Sequence, residues 1–405
     1  MNVAISILGL GLLILIHEAG HFFVARAVGM NPRKFYIGFP PALAKRTRNG
    51  IEYGIGAIPL GGYVKIPGMH RPAAGDLDIH FGRAVAEEPS LTSPVEELRR
   101  RLEHADHVGA RAAVAELGAK LQATELSPGA AKAAERGLTE IDDALGPDAY
   151  WRAKTWKRVA VIFAGPGANL LLAVMLFAGL LVATSGGYRL GFVIGADDQG
   201  GATRLVEEVV EDTPAAASGL RAGDRILAID GRPLPVDEIR GTISGSEGRP
   251  LTLTVQRAGD RVDIGPVRPE LIGDYGFGES LWQAVRFTGV VTKEIGATIG
   301  RLVTGDGRDE ISSPVGIVQG SSQAADRGAD DYLWVLGLIS LSLALLNLLP
   351  LLPLDGGHIA FSLIEGLRGK AVAREVYERV SVVGIAVVLL LFFVGLSNDI
   401  GRLGS

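Results

Sequence analysis

A chain of 405 residues can hold two or three domains, and 47% apolar against 21% charged residues leans toward a membrane protein rather than a plain soluble fold. The formal charge of −5, with no basic block interleaved with aromatics, excludes a global nucleic-acid surface. Cysteine is absent, which excludes disulfides and thiolate ligands and leaves histidine and carboxylate to hold any metal.

The first element is an apolar run, Val3 to Ile16, without a charged residue, and it ends in His17-Glu18-Ala19-Gly20-His21. On a helix, positions four apart share a face, so both imidazoles can grip one Zn²⁺ while Glu18 handles the proton of a water. A Glu flanked by two His in such surroundings is costly without a partner such as a metal. The alternative at this point is a pair of polar residues closing a helix at the lipid headgroups. No Lys or Arg precedes Arg26 and no small-residue cleavage pattern follows, so the run reads as a retained span rather than a removable signal.

Four stretches are long and apolar enough to cross a bilayer: Asn2 to Val28, Val159 to Thr184, Leu333 to Leu349 and Val380 to Leu396. Pro350 and Pro353 prevent the third from continuing as a regular helix. Basic residues gather after the first span (Arg33, Lys34, Lys45, Arg46, Arg48), before the second (Arg152, Lys154, Lys157, Arg158) and between the third and fourth (Arg368, Lys370, Arg374, Arg379). The positive-inside rule then puts both termini outside and the first and third loops in the cytosol. Spans one and three run the same way, His17 sits roughly 21 Å deep at helical rise, and Asp355, at the inner end of span three, reaches a similar depth. An acid embedded in Leu and Pro is a functional candidate, and Asp355 is the expected third ligand, leaving a fourth position for water. Standing alone it would read as a turn residue before Gly356-Gly357. His358 reads as structural rather than as a ligand.

With His-Glu-Ala-Gly-His in span one, Phe163-Ala164-Gly165-Pro166-Gly167-Ala168-Asn169 in span two and Asn347 to Gly357 in span three, the chain resembles the site-two protease family of intramembrane zinc metalloproteases (peptidase M50), in its bacterial RseP-type branch with a PDZ domain. The likeness leaves residues 83–150 unmatched. It implies one Zn²⁺ held by His17, His21 and Asp355, Glu18 as general base, and Asn347 helping to seat the substrate backbone. Pro350 and Pro353 are three apart where some members have two, which leaves the backbone path from Asn347 to Asp355 open.

Ile51 to Ile66 reads as a Gly-punctuated hairpin of β-formers. A transmembrane substrate must unwind before cleavage, and an exposed edge here, with Gly61, Gly62 and Tyr63 as substrate-binding residues, could hold it by β-augmentation. Relatives have a membrane-entering hairpin at this place; the alternative is an ordinary soluble hairpin. Residues 83–150 are Ala-, Glu- and Arg-rich, with helix starts at Ser93-Pro94 and Ser127-Pro128 that predict two cytosolic helices. His104 and His107 share a face there, read as solvated rather than as a second metal site. Arg204 to Gly231, with another strand at Leu251 to Gln256, resembles a PDZ domain of the protease-associated kind, a binder of chain ends or a size filter. Apolar residues recur at helical spacing from Leu281 to Leu302, a stripe suited to the outer membrane surface or to packing on the spans.

The fold expected is therefore an α-helical multi-pass membrane protein of four transmembrane helices, with a membrane-associated β-hairpin and one extracytoplasmic PDZ-like α+β domain. Its parts are the first transmembrane helix over 1–29, the hairpin region 30–82, a helical cytosolic insertion 83–156 and the second span 157–186. A linker 187–202, the PDZ domain 203–270 and a segment 271–331 with an amphipathic helix follow. The third span is 332–358, a cytosolic loop 359–379, and the fourth span with its tail 380–405. The function expected is intramembrane proteolysis of single-span membrane proteins, anti-sigma-factor-like or remnant signal peptides, in the inner cell membrane with the active site opening toward the cytosol. The partners are those substrates, the bilayer and a peptide C-terminus at the PDZ domain, without nucleic acid. The alternatives are a membrane PDZ adaptor with a structural metal and a zinc transporter, to which a general base at Glu18 and a single ligand depth are foreign.

Overall fold

The computed structural model describes residues 2–196, 202–271, 273, 275–304 and 311–403. In chain order it has α1 (Asn2–Ala27), β1 (Lys34–Arg48), β2 (Ile51–Lys65), α2 (Gly75–Glu87), α3 (Thr92–Glu103), α4 (His107–Gln122), α5 (Pro128–Leu145) and α6 (Thr155–Thr184). There follow β3 (Tyr188–Arg189), β4 (Phe192–Ala196), β5 (Ala202–Val209), α7 (Pro214–Ala217), β6 (Arg225–Ile229), α8 (Val236–Ser244), β7 (Leu251–Arg257), β8 (Asp260–Val267) and β9 (Glu270–Leu271). The chain closes with α9 (Phe277–Thr304), α10 (Pro314–Arg327), α11 (Ala329–Asn347), α12 (Asp355–Arg368) and α13 (Arg374–Leu403). Among the described residues, α1, α6, α11 and α13 are long and apolar enough to cross a membrane, which agrees with the four expected spans. The chain divides into two compact units, Ile14–Ala168 with Asn347–Gly384, and Met1–Leu13 with Asn169–Leu346 and Ile385–Ser405.

In the first of these units the hairpin is longer than Ile51 to Ile66: that stretch is essentially all one strand, and its partner is β1. The turn lies at Asn49-Gly50, both with positive φ (51° and 77°), the combination that joins antiparallel strands most tightly. Each of Lys34, Phe35, Tyr36 and Ile37 is paired twice, with Glu52–Ile55 and with Gly62–Lys65, so Gly62–Lys65 forms a margin of the sheet.

The insertion holds three α-helices, α3 to α5, where the sequence predicts two, and α2, most of which precedes residue 83, packs with them. Leu77, Phe81, Leu91, Leu98, Leu117 and Leu145 build the core of α2 to α5, with Ala84, Ala110, Ala113 and Ala134. Ser127 caps α5 as expected, its hydroxyl accepting from Ala130 N at 3.3 Å with Pro128 at the first helical position. The helices α3 and α4 are separate because Ala105 takes φ 54° and Asp106 caps a new helix, accepting from Gly109 N at 2.9 Å. His104 thus follows the end of α3 while His107 begins α4, and the two share no helix face; His107 packs on Trp151 with ring centroids 5.1 Å apart.

The third span ends at Asn347, as the prolines require, and a new helix starts at Asp355, so neither a span over 332–358 nor a loop over 359–379 is observed. The helix that carries the fourth span starts earlier than 380, at Arg374.

In the other unit, β4-β5-β6-β7-β8 form a five-stranded sheet over a core of Val206, Ile226, Leu253 and Val255, with Ile239 of α8. β4 falls inside the stretch expected as a linker over 187–202, part of which, like residues 272, 274, 305–310 and the tail 404–405, lies outside the described residues. Asp224, 1% exposed, accepts from Arg257 Nε at 2.7 Å and Nη2 at 2.6 Å. The apolar stripe of α9 packs on the spans: Leu281, Ala284 and Phe287 join Ala173, Phe177 and Leu341. Phe287 stands 5.0 Å from Phe177 and 4.8 Å from Trp334 between ring centroids.

Candidate metal centre

His17, Glu18 and His21 are carried by α1, and the periodicity of that helix sets both imidazoles on one face. His17 and His21 are each 7% exposed. His17 Nε2 lies 3.1 Å from Asp355 Oδ2 and 3.2 Å from His21 Nε2, and His21 Nε2 lies 3.4 Å from the same carboxylate oxygen. Nε2 of each histidine and one carboxylate oxygen therefore form a nearly equilateral triangle.

The donor set explains why such a triangle needs a cation. His21 Nδ1 lies 2.8 Å from Val161 O, and as the donor in that contact it leaves Nε2 bearing the lone pair. That lone pair then faces a carboxylate oxygen and a second imidazole nitrogen. Two ligands about 2.05 Å from a tetrahedral zinc stand about 3.3 Å apart, and the three observed separations bracket that value. Among the described residues, these three form the group able to hold a metal ion.

Backbone proximity builds the site. A Cβ on Gly165 of α6 would stand 2.3 Å from His21 Nε2 and 2.8 Å from His17 Nε2, and a Cβ on Gly20 would stand 2.3 Å from Ala164 O. Asp355 reaches the site because Leu348–Leu354 folds back onto the start of α12: a Cβ on Gly356 would meet Leu348 O at 2.2 Å, and one on Gly357 would meet Leu352 N at 2.6 Å. The carboxylate also gains from standing in the first turn of that helix. His358 turns to another partner, Tyr377 OH, 2.5 Å from its Nδ1.

The hairpin margin runs beside Glu18. A Cβ on Gly62 would approach Glu18 Cγ to 3.1 Å, and the Val64 N–H donates to the Glu18 carboxylate. Tyr63 stacks on Tyr36 with centroids 5.1 Å apart, and Gly61 makes room for the Phe39 ring. Asn347 ends α11, eight residues before Asp355. Sequence reasoning brings together His17, Glu18, His21, Asp355 and Gly62. It misses Gly20, Gly165, Val161 O and Val64 N, of which only the two glycines leave a signal, inside motifs already singled out.

Two histidines and a carboxylate able to hold a metal, with a glutamate beside them on a helix apolar enough to cross a membrane, are the constellation of a metallohydrolase. The model of peptidase family M50 matches residues 5–391, and the chain belongs to that family. A protein of Agrobacterium fabrum named as a zinc metalloprotease is 31% identical over 98% of this chain and 95% of its own length. The regulator of sigma-E protease RseP of Salmonella typhimurium is 30% identical over 99% of each. A Lactococcus lactis protein also named as a zinc metalloprotease is 28% identical over 97% and 96%. The chain is thus a zinc metalloprotease of the membrane, and zinc transport gains no support from these relatives.

Proposed function

We propose that this protease cuts single-span membrane proteins within or near their membrane segment, with His17, His21 and Asp355 holding zinc and Glu18 as general base. The observation that carries this reading is the 3.1–3.4 Å triangle of ligand atoms immediately beside Glu18. Zinc held there would polarise the scissile carbonyl and acidify a water. Glu18 takes the proton of that water and returns it to the leaving amine. Its carboxylate is steered by the Val64 N–H, while His21 is oriented by Val161 O.

The margin Gly62–Lys65, with Gly61 and Tyr63, is the proposed seat of the unwound substrate strand, and Asn347 its second anchor. The five-stranded module is read as PDZ-like and as a site for a peptide C-terminus. Charge asymmetry supports outer termini and a site opening to the cytosol. The relative named regulator of sigma-E protease supports a regulatory role, for which an anti-sigma-factor-like protein is the proposed substrate. Glu18→Gln tests the chemistry: zinc content is retained while cleavage of a transmembrane substrate falls by about 10²–10⁴-fold. Cleavage at the wild-type rate by that variant overturns the mechanism.

A further inference from the structure

Next to the metal centre lies a chamber of about 970 Å³, at the upper end of ordinary ligand pockets (about 300–1,000 Å³). It starts at residues that touch the catalytic neighbourhood: Val64, which donates to Glu18, and His358, one turn beyond Asp355, both line it. Helix α2 and, from the helical insertion, α5 supply another part of the wall.

The wall is unequal in charge. Five carboxylates line it, Asp76, Glu140, Asp143, Glu365 and Glu378, against three cations, Lys65, Arg71 and Arg158. Lys65 Nζ stands 3.2 Å from Asp143 and Arg158 Nη1 2.6 Å from Glu365, while Arg71 lies 4.9 Å from the centre of the Trp151 ring. Arg33 and Arg136, outside the lining, pair with Asp143 at 2.7 Å and Glu140 at 2.8 Å, so the bias is that of the lining itself, where carboxylates outnumber cations and favour cationic side chains. A separate observation concerns main chain. Arg158 is 7% exposed, and its Nε has no hydrogen-bond acceptor among the described residues. An unsatisfied buried donor is costly, and a peptide carbonyl is a group that satisfies it.

We propose that the chamber is a subsite for the extended, basic segment flanking a substrate's membrane span, on the side where Lys and Arg accumulate. The subsite rests on the endopeptidase reading above. The insertion is then part of the recognition surface, selecting by charge what the metal centre selects by unwinding.

The test uses the full-length enzyme in zwitterionic phosphatidylcholine vesicles, so that lipid charge does not select. Two reporter substrates share one transmembrane segment and carry either Lys/Ser or Glu/Ser flanks. The wild type should cleave the basic reporter about fivefold better in kcat/KM, a gap that the combined Glu140→Lys and Glu378→Lys variant closes or reverses. If that variant loses its fold, Glu140→Gln should narrow the gap in the same direction. Equal cleavage of both reporters by the wild type, preference for the acidic one, or an equal loss on both in the variants overturns the subsite and leaves proteolysis standing. Cleavage of neither reporter, with wild type indistinguishable from Glu18→Gln, overturns the endopeptidase reading and the subsite with it.

Discussion

Around His17 and His21 the helices α1 and α6 meet backbone to backbone, Gly20 against Ala164 O and Gly165 against both imidazoles, whereas α2 to α5 meet through Leu, Phe and Ala side chains. Both regions belong to one compact unit. In the insertion a misfit is shared among many flexible contacts, each worth little. At the metal centre nothing soft lies between the backbone and the ligand atoms, so a displacement there becomes an error in coordination. The same protein therefore contains a tolerant region and an intolerant one, joined by Arg33, which donates to Asp143 at 2.7 Å and to Asp148 at 2.9 Å.

The strongest challenge to that contrast is Gly165→Val. Its side chain would occupy the space of the imidazole nitrogens, and cleavage should drop at least about 100-fold with a parallel loss of zinc by elemental analysis. Full zinc and full activity would break the comparison. Leu98→Ala, at a site with no exposure in the insertion, should cost about 2–5 kcal/mol of local stability. Hydrogen exchange across α2 to α5 reads that loss, and zinc content should stay at the wild-type level.

Acid probes the joint between the regions. Burial alone would raise the Asp148 carboxyl, but hydrogen bonds from Arg33 outweigh it and hold the group below its ordinary value. A depressed folded value stabilises the fold above the unfolded value of about 3.9 and is lost as pH falls through the folded one. The thermal midpoint should therefore decline on acidification below about pH 4, and Arg33→Met should flatten that part of the curve. An unchanged slope in the variant removes Arg33 from the account. The smallest effect is expected for Gly82→Ala in α2, where a Cβ meets nothing within 4 Å, with a gain of about 0.4–1 kcal/mol in unfolding measurements.

Much of the centre was legible in the sequence because each of its signals is local: the spacing of His17 and His21 is a helix period, and Asp355, far along the chain, stands out as an acid among Leu and Pro. The roles of Gly20 and Gly165 were not, since they depend on which faces of α1 and α6 meet. β1 was hidden by Pro40-Pro41, which reads against a strand interior. α2 was hidden because Ala74 precedes it without a capping side chain, and the break between α3 and α4 because Ala105 is an unusual residue for positive φ. The start of a helix at Asp355 has no local capping signal either, since Leu354 precedes it.

The Val64 amide has a consequence for inhibitor chemistry. Because its N–H is spent on Glu18, a peptidomimetic laid along Gly62–Lys65 has nothing to gain from an acceptor opposite Val64. The carbonyl at that position on the ligand is therefore free for replacement by a group that accepts no hydrogen bond, such as a methylene. A scan of backbone-modified ligands should thus show one silent site in an otherwise demanding strand.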